Sequence, residues 1–360
     1  MISFLNSYIH CNAYIYHDNM ENYKAGGKAS KYFLEAYQGL SFRHGGTGNI
    51  DVETILAKEG FQPIRLPDRP SIFLYLKRWL ALQEIVCQVK TGDIVFCQFP
   101  VYPRMYRLVI SKLHQKGARL VALLADIDGL KDQDSGLLRR EIRQYALFRQ
   151  FIVHNQAMED WLRSALGQVH IVQLGPFDFL AKPNFSVRTL GNGINFSGNL
   201  AKSAFLKDLG NLIPLQFHIY GEGLDAMFNW PENLHYHGIS SPYELPAKIK
   251  GSFGLVWDGD SIHGAKGSIG HYMAFINHHK LSLYILSGMP VIAPAFAGSA
   301  AYILEKGIGW VVNDLNEIKA LLAKITATEY QAAREKMAPI ALEISQGNHL
   351  RDALQKLLSS

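Results

Sequence analysis

At 360 residues the chain is too long for one ordinary core and suits two domains, each able to bury a sizeable interior. An apolar share of 48% and a charged share of 19% describe a globular protein, and a net charge of +5 favours anionic ligands or an acidic membrane face. No long basic run or aromatic RNA-binding signature accompanies that charge, which argues against nucleic acid. Cys11, Cys87 and Cys97 lack metal or disulfide spacing and read as core thiols of a reducing compartment. The start of the chain has no basic, apolar leader pattern, and no 18-residue apolar run occurs, so the expectation is cytoplasmic, at most peripheral to a membrane's inner face.

In chain order, β-rich runs alternate with helical runs, which argues for parallel sheets. The first series has expected strands at Ala13 to Tyr16, Phe61 to Leu66, Ile94 to Phe99, Leu120 to Leu124, Phe151 to His154 and His170 to Leu174. Helices are expected at Lys31 to Tyr37, Phe73 to Val89, Arg104 to Lys116, Leu137 to Leu147 and Met158 to Leu166. That is a doubly wound, Rossmann-like domain over residues 1–183. Proline, glycine and asparagine then break the pattern at Ala181 to Gly193, a linker signal. A second series over 193–328 places strands at Ile194 to Ser197, Gln216 to Tyr220, Leu234 to His237, Phe253 to Trp257, Val291 to Ala293 and Trp310 to Val312. The fold class is thus α/β, two Rossmann-like doubly wound domains facing a cleft, with a helical tail over 329–360 able to cross back to the first domain.

The most informative stretch runs from Phe253 to Pro290. It reads as a buried strand, an acidic turn (Asp258, Gly259, Asp260), a loop with Gly264, Gly267 and Gly270, and a helix entered through Asn277 and two histidines. Free N–H groups and the positive dipole end at such a strand-to-helix passage suit a phosphate, and Lys280 on the first helical turn is the matching cation. The same device recurs at Gly198-Asn199 with Lys202, where the alternative is an N-cap by Ser197 or Asn199 and a solvated lysine. Gly26 and Gly27, ahead of a helix, permit close backbone approach to a ligand or simply make a turn. Tyr220 at a strand end suits stacking on a nucleobase or ordinary packing. Asp126 and Asp128 end the apolar run LVALLADID, where strand alternation puts both on one face at the carboxyl edge. One of them can take a proton from an acceptor hydroxyl, or both can cap a turn.

Fourteen histidines raise the question of metal, but neither His235-Tyr236-His237 nor His278-His279 supplies a third ligand, so no metal site is expected. Asp258 and Asp260 are a conceivable magnesium pair, which a lysine-held diphosphate does not require.

The runs FGLVWDGDS, G-x-x-G-x-Y-M-x-F-x-N-x-H-K-x-S-L-Y (Gly267 to Tyr284) and G-M-P-V-I (Gly288 to Ile292) resemble bacterial GT-B sugar-nucleotide glycosyltransferases. That family includes O-antigen β-1,6-galactofuranosyltransferases and glucosyltransferases acting on serine-rich adhesins. The resemblance implies that Lys202, Tyr220, Asn277 and Lys280 hold the uridine and phosphates of a UDP-sugar, with the Gly26-Gly27 loop closing over them. Two departures stand out: His278 where the family usually has proline, and Ala125 where it has a histidine before Asp-x-Asp. Retaining GT-B enzymes commonly carry two glutamates eight positions apart in the second domain. No such pair occurs from Gly193 to Lys324, which favours an inverting displacement.

The expectation is therefore a metal-independent UDP-sugar transferase without cofactor, moving glucose, galactofuranose or galactose onto a glycan acceptor of surface polysaccharide or glycoprotein. A lipid-linked acceptor and peripheral membrane contact fit helices that mix Tyr75, Trp79, Tyr102 and Tyr106 with Lys77, Arg78, Arg104 and Arg107. Alternatives are an epimerase of the same fold and a non-catalytic partner subunit. A homo-oligomer stays open.

Overall fold

The computed structural model describes residues 29–36, 46–66, 72–101, 104–223, 228–264 and 266–359. The expected strand at Ala13 to Tyr16, Gly26, Gly27 and Cys11 lie outside the described residues.

The first sheet holds β1 (Lys31–Leu34), β2 (Gln62–Ile64), β3 (Ile94–Phe99), β4 (Arg119–Leu124), β5 (Gln150–Val153) and β6 (His170–Gln173) in the order β2-β1-β3-β4-β5-β6. Every pairing in it is parallel. Between these strands run α1 (Thr47–Lys58), α2 (Ile72–Gln88), α3 (Arg104–Gln115), α4 (Asp128–Lys131), α5 (Ser135–Tyr145) and α6 (Gln156–Leu166). The expected helix at Lys31 to Tyr37 is corrected: Lys31–Leu34 is a strand inserted between β2 and β3. A short apolar run such as KYFL fits either period, and two neighbouring edges with open ladders decide in favour of a strand.

The second sheet contains β7 (Gly193–Asn199), β8 (Gln216–Glu222), β9 (Leu234–Tyr236), β10 (Phe253–Leu255), β11 (Val291–Pro294) and β12 (Gly309–Val312), in the order β12-β11-β10-β7-β8-β9. It too is parallel throughout. Its chain order reverses between β7 and β10, so this is where a crevice opens at the carboxyl ends of a doubly wound sheet. The helices that position the site are α7 (Leu245–Lys248), α8 (Gly267–Tyr272) and α9 (His279–Leu286), with α10 (Ala300–Lys306) and α11 (Glu317–Leu322) behind them. Gly267 and Gly270, read as loop, open the short helix α8 instead.

The chain ends in α12 (Ala327–Gln346), started by a capping box of Thr326 and Glu329, and α13 (Asn348–Leu358). Leu350, Leu354 and Leu357 of α13 share a buried cluster with Phe33, Phe96, Val121 and Ile152 of the first sheet. The Asp178 carboxylate accepts the His349 and Leu350 amides at 3.2 and 2.7 Å, satisfying the free donors at the start of α13. Cys97 is a buried free thiol, as read. Tyr106 is also corrected as an interfacial aromatic, because it is buried and donates its hydroxyl to the Glu35 carbonyl at 2.6 Å.

Candidate functional site

Tyr284 of α9 sets the geometry at the β7/β10 reversal. Its ring lies on Gly254, where an added Cβ would come within 2.2 Å of it, and its hydroxyl accepts the Ser197 amide at 3.1 Å. That contact holds α9 across both strands and brings Lys280, one turn earlier, to the strand ends. Lys280 Nζ donates to the Trp257 carbonyl at 2.9 Å and to both Asp258 oxygens at 3.0 Å, and sits 4.5 Å from the Phe196 ring centroid. His278 Nε2 is 2.9 Å from Asp258 Oδ2. Burial opposes the charge of Asp258, but the Lys280 ammonium and His278 outweigh it and hold the carboxyl at about 2. Burial lowers the Lys280 pKa, and Asp258 partly restores it.

The structure therefore brings Gly198, Asp258 and Lys280 together: a Cβ on Gly198 would lie 3.8 Å from Lys280 Nζ. Gly270 backs the acidic turn, packing where a Cβ on Gly259 (φ +104°) would come within 3.0 Å of its Cα. Asn199 and Lys202 lie on the rim. Asn199 accepts the Ala201 amide at 3.0 Å and caps a one-turn 3-10 helix, Leu200–Lys202, with the Lys202 side chain in solvent. Tyr220 is buried, its ring stacked on His237 at 4.7 Å and its hydroxyl donating to the Lys248 carbonyl at 3.1 Å.

Asn277 is not open to a ligand in this arrangement. Its side-chain amide donates to the carbonyls of His154 and Gly175, both at 2.9 Å, its oxygen accepts from Asn155 at 3.2 Å, and its backbone amide donates to His154 Nδ1 at 3.0 Å. These bonds tie α9 to the end of β5 in the first sheet, and they are buried. Asn277→Ala strands two carbonyls and the Asn155 amide, so we expect a loss of roughly 2 to 4 kcal/mol of unfolding free energy, several weak penalties of about 1 kcal/mol each. Denaturant titration reads it; an unchanged midpoint in urea contradicts the assignment of Asn277 as a tie.

Asp126 and Asp128 lie past the end of β4 rather than on it, which corrects the strand-alternation argument: the ladder stops at Leu124, and Asp128 opens α4. Both carboxylates nevertheless meet at Lys131 Nζ, at 3.2 and 2.5 Å. Asp128 is the enclosed one, its side chain 12% exposed against 37% for Asp126. The Glu141 carboxylate accepts the Asp128 and Gly129 amides at 3.0 and 2.8 Å and fixes the loop. From the second sheet's side, Tyr272 of α8 accepts the Ile127 amide at 2.7 Å and hydrogen-bonds Asp126. Burial, with Asp126 beside it, pushes its phenol pKa well up. The aspartate loop and the glycine helix are thus in contact.

One element of the site escaped the sequence reading. α1 begins at Gly46-Thr47-Gly48 with no side-chain cap, and a Cβ on Gly48 would lie 3.0 Å from the ring of His279 at the start of α9. The first turns of the two helices therefore meet at the seam. Burial holds His279 neutral, at about 4. The signal was present as the run Gly45-Gly46-Thr47-Gly48-Asn49, but Gly26-Gly27 offered the same pattern earlier.

Similarity to known proteins adds to this geometry. Residues 12–175 match the Glucosyltransferase 3-like N-terminal domain and residues 194–357 the Glucosyltransferase 3-like C-terminal domain. The chain belongs to the glucosyltransferase 3-like family. It is 27% identical to the beta-1,6-galactofuranosyltransferase WbbI of Escherichia coli K12 over 284 residues, covering 77% of this chain and 82% of that one. It is likewise 27% identical to glucosyltransferase 3 of Streptococcus gordonii over 292 residues, covering 77% and 84%. Among solved structures, Anabaena HepE in complex with UDP-glucose superposes with a TM-score of 0.59 at 15% identity, over 92% of this chain and all of HepE. TarM superposes at 0.52 over 78% of this chain and 58% of TarM, also at 15% identity. These likenesses show the fold, which is GT-B. Among the described residues no group of three or more His, Cys, Asp or Glu side chains is placed to hold a metal ion. No described helix is long and apolar enough to cross a membrane.

Proposed function

We propose that this glucosyltransferase 3-like chain transfers a hexose from a UDP-sugar to a glycan acceptor of surface polysaccharide or glycoprotein, with inversion and without a metal. The observation that carries the reading is the meeting of Gly198, Asp258 and Lys280 at the β7/β10 reversal, the place where doubly wound sheets take anionic ligands. The diphosphate lies over Gly198 and the α9 start, where Lys280 exchanges one Asp258 oxygen for a phosphate oxygen. The N-terminus of α1, in contact with His279, adds a second positive dipole end. Lys202 on the rim is free to reach the outer phosphate. The names of the relatives, one a galactofuranosyltransferase and one a glucosyltransferase, both denote hexose transfer.

In this account residues 1–183 form the acceptor half, 193–328 the donor half, and 329–360 the tail that joins them. The acceptor hydroxyl attacks the anomeric carbon from the face opposite UDP. The bond from that carbon to the phosphate oxygen breaks, its electron pair leaves with UDP beside Lys280, and the hydroxyl proton passes to Asp126. Asp126 is favoured over Asp128 because it is the more open of the two and lies against α8 of the donor half. The thermal-shift profile against UDP, ADP and GDP tests the donor: UDP alone should raise the melting temperature at millimolar concentration without added metal. An equal response to all three, or none to UDP, overturns the reading.

A further inference from the structure

A second charged feature lies on the first sheet's flank. Arg107 of α3 and Arg140, Arg143 and Gln144 of α5, with Leu147 just beyond, line an open cavity of about 270 Å³. On α5, Arg140, Arg143 and Gln144 follow the spacing i, i+3, i+4 and so form one stripe. None of the three arginines makes an ion pair or a hydrogen bond among the described residues, whereas Arg163 and Arg351 pair with glutamates and Arg188 and Arg334 are saturated by carbonyls. The Gln144 amide nitrogen is buried at the same place with no acceptor. Asp134 acts electrostatically on Arg140, but among the described residues no carboxylate forms an ion pair with Arg107, Arg140 or Arg143, so the three guanidinium groups and the unsatisfied amide leave an excess of positive charge in the cavity. A bound oxyanion relieves that excess, and guanidinium grips phosphate oxygens two at a time.

The position of the cavity matters as much as its charge. The neighbouring stripe of α5 carries Glu141, which fixes the Asp126–Asp128 loop, and Tyr145. Burial first, then Glu141, Asp128 and Asp126, push the buried Tyr145 phenol pKa up. The pocket and the aspartate loop are thus two sides of one helix. On its other flank Leu108, next to Arg107, is exposed, and α3 packs against α2, which exposes Trp79 and Leu80. An anion seat on the helix that braces the aspartate loop, continued by apolar surface, matches a ligand with a charged head and a hydrocarbon tail.

We propose that the Arg107, Arg140 and Arg143 pocket seats the diphosphate of the acceptor, which is therefore a saccharide carried on a lipid diphosphate rather than a neutral glycan or a protein side chain. This rests on the transferase reading above. A volume of about 270 Å³ exceeds several-fold the roughly 30 Å³ share of one water molecule, which leaves room for two phosphoryl groups. Because the arginines are open to solvent, binding weakens as ionic strength rises.

The test uses the whole chain saturated with UDP, so that the donor site is filled, and titrates inorganic pyrophosphate by calorimetry. We expect a second binding event that weakens at least tenfold in Arg140→Gln/Arg143→Gln and steadily with salt, while UDP affinity stays at the wild-type value. In transfer assays the double variant should raise KM for a lipid diphosphate saccharide and leave KM for the same saccharide on a neutral alkyl glycoside unchanged. No pyrophosphate binding to the UDP-loaded protein, or equal binding by the variant, overturns the proposal. It is also overturned if phosphatidylglycerol vesicles sediment the wild type and not the variant while pyrophosphate fails to compete, which marks a lipid headgroup site. Failure of UDP itself to bind the wild type speaks instead against the donor reading.

Discussion

Asp126→Asn should lower turnover by about two decades or more while leaving UDP affinity at its wild-type value, the scale of a lost general base. The substitution keeps the shape of the side chain, so the hydrogen bond with Tyr272 and the α4/α8 contact persist. Asp128→Asn should do less to the chemistry and more to the loop, because Asp128 is the enclosed partner of Lys131 at 2.5 Å. Steady-state rates for both variants separate the two roles. Near wild-type transfer by Asp126→Asn places the base elsewhere.

Lys280→Ala should weaken UDP binding by about one to two decades, since a charge-assisted contact to phosphate in a partly dry cleft is worth roughly 1.5 to 3 kcal/mol. The same substitution strands the Asp258 carboxylate, now opposed only by His278, and removing one partner of a buried pair costs about 3 to 5 kcal/mol of stability. Lys280→Ala/Asp258→Asn separates these effects: the carboxylate charge is gone, so most of the stability returns while the affinity for UDP does not. Calorimetry on the double variant decides, and a folded protein with wild-type UDP affinity removes Lys280 from the donor site.

Much of the fold can be read from local pattern because each strand carries its own signal. Ile94–Phe99 is buried at every position and apolar at all but Gln98, as suits a strand covered on both faces, and its limits are those the sequence suggests. Lys280 is legible for a related reason: a buried strand, an acidic turn and a helix start fix its place within one α/β unit. What is not legible depends on distant partners. Lys31–Leu34 becomes a strand only because β2 and β3 flank it, and Asn277 looks like a ligand group until His154, Asn155 and Gly175 claim it from more than one hundred positions away. Tyr220 carries no mark that its ring rests on His237. That Gly46-Thr47-Gly48 lies at the site rests on the contact of Gly48 with His279, which no local spacing encodes.

The central claim, an inverting transfer from a UDP-hexose, is tested most directly by proton NMR of the turnover of a UDP-α-hexose with a saccharide acceptor and no added metal. The account predicts free UDP and a new β-glycosidic anomeric signal in equal amounts. A new sugar nucleotide without release of UDP, or an α-linked product, would contradict it.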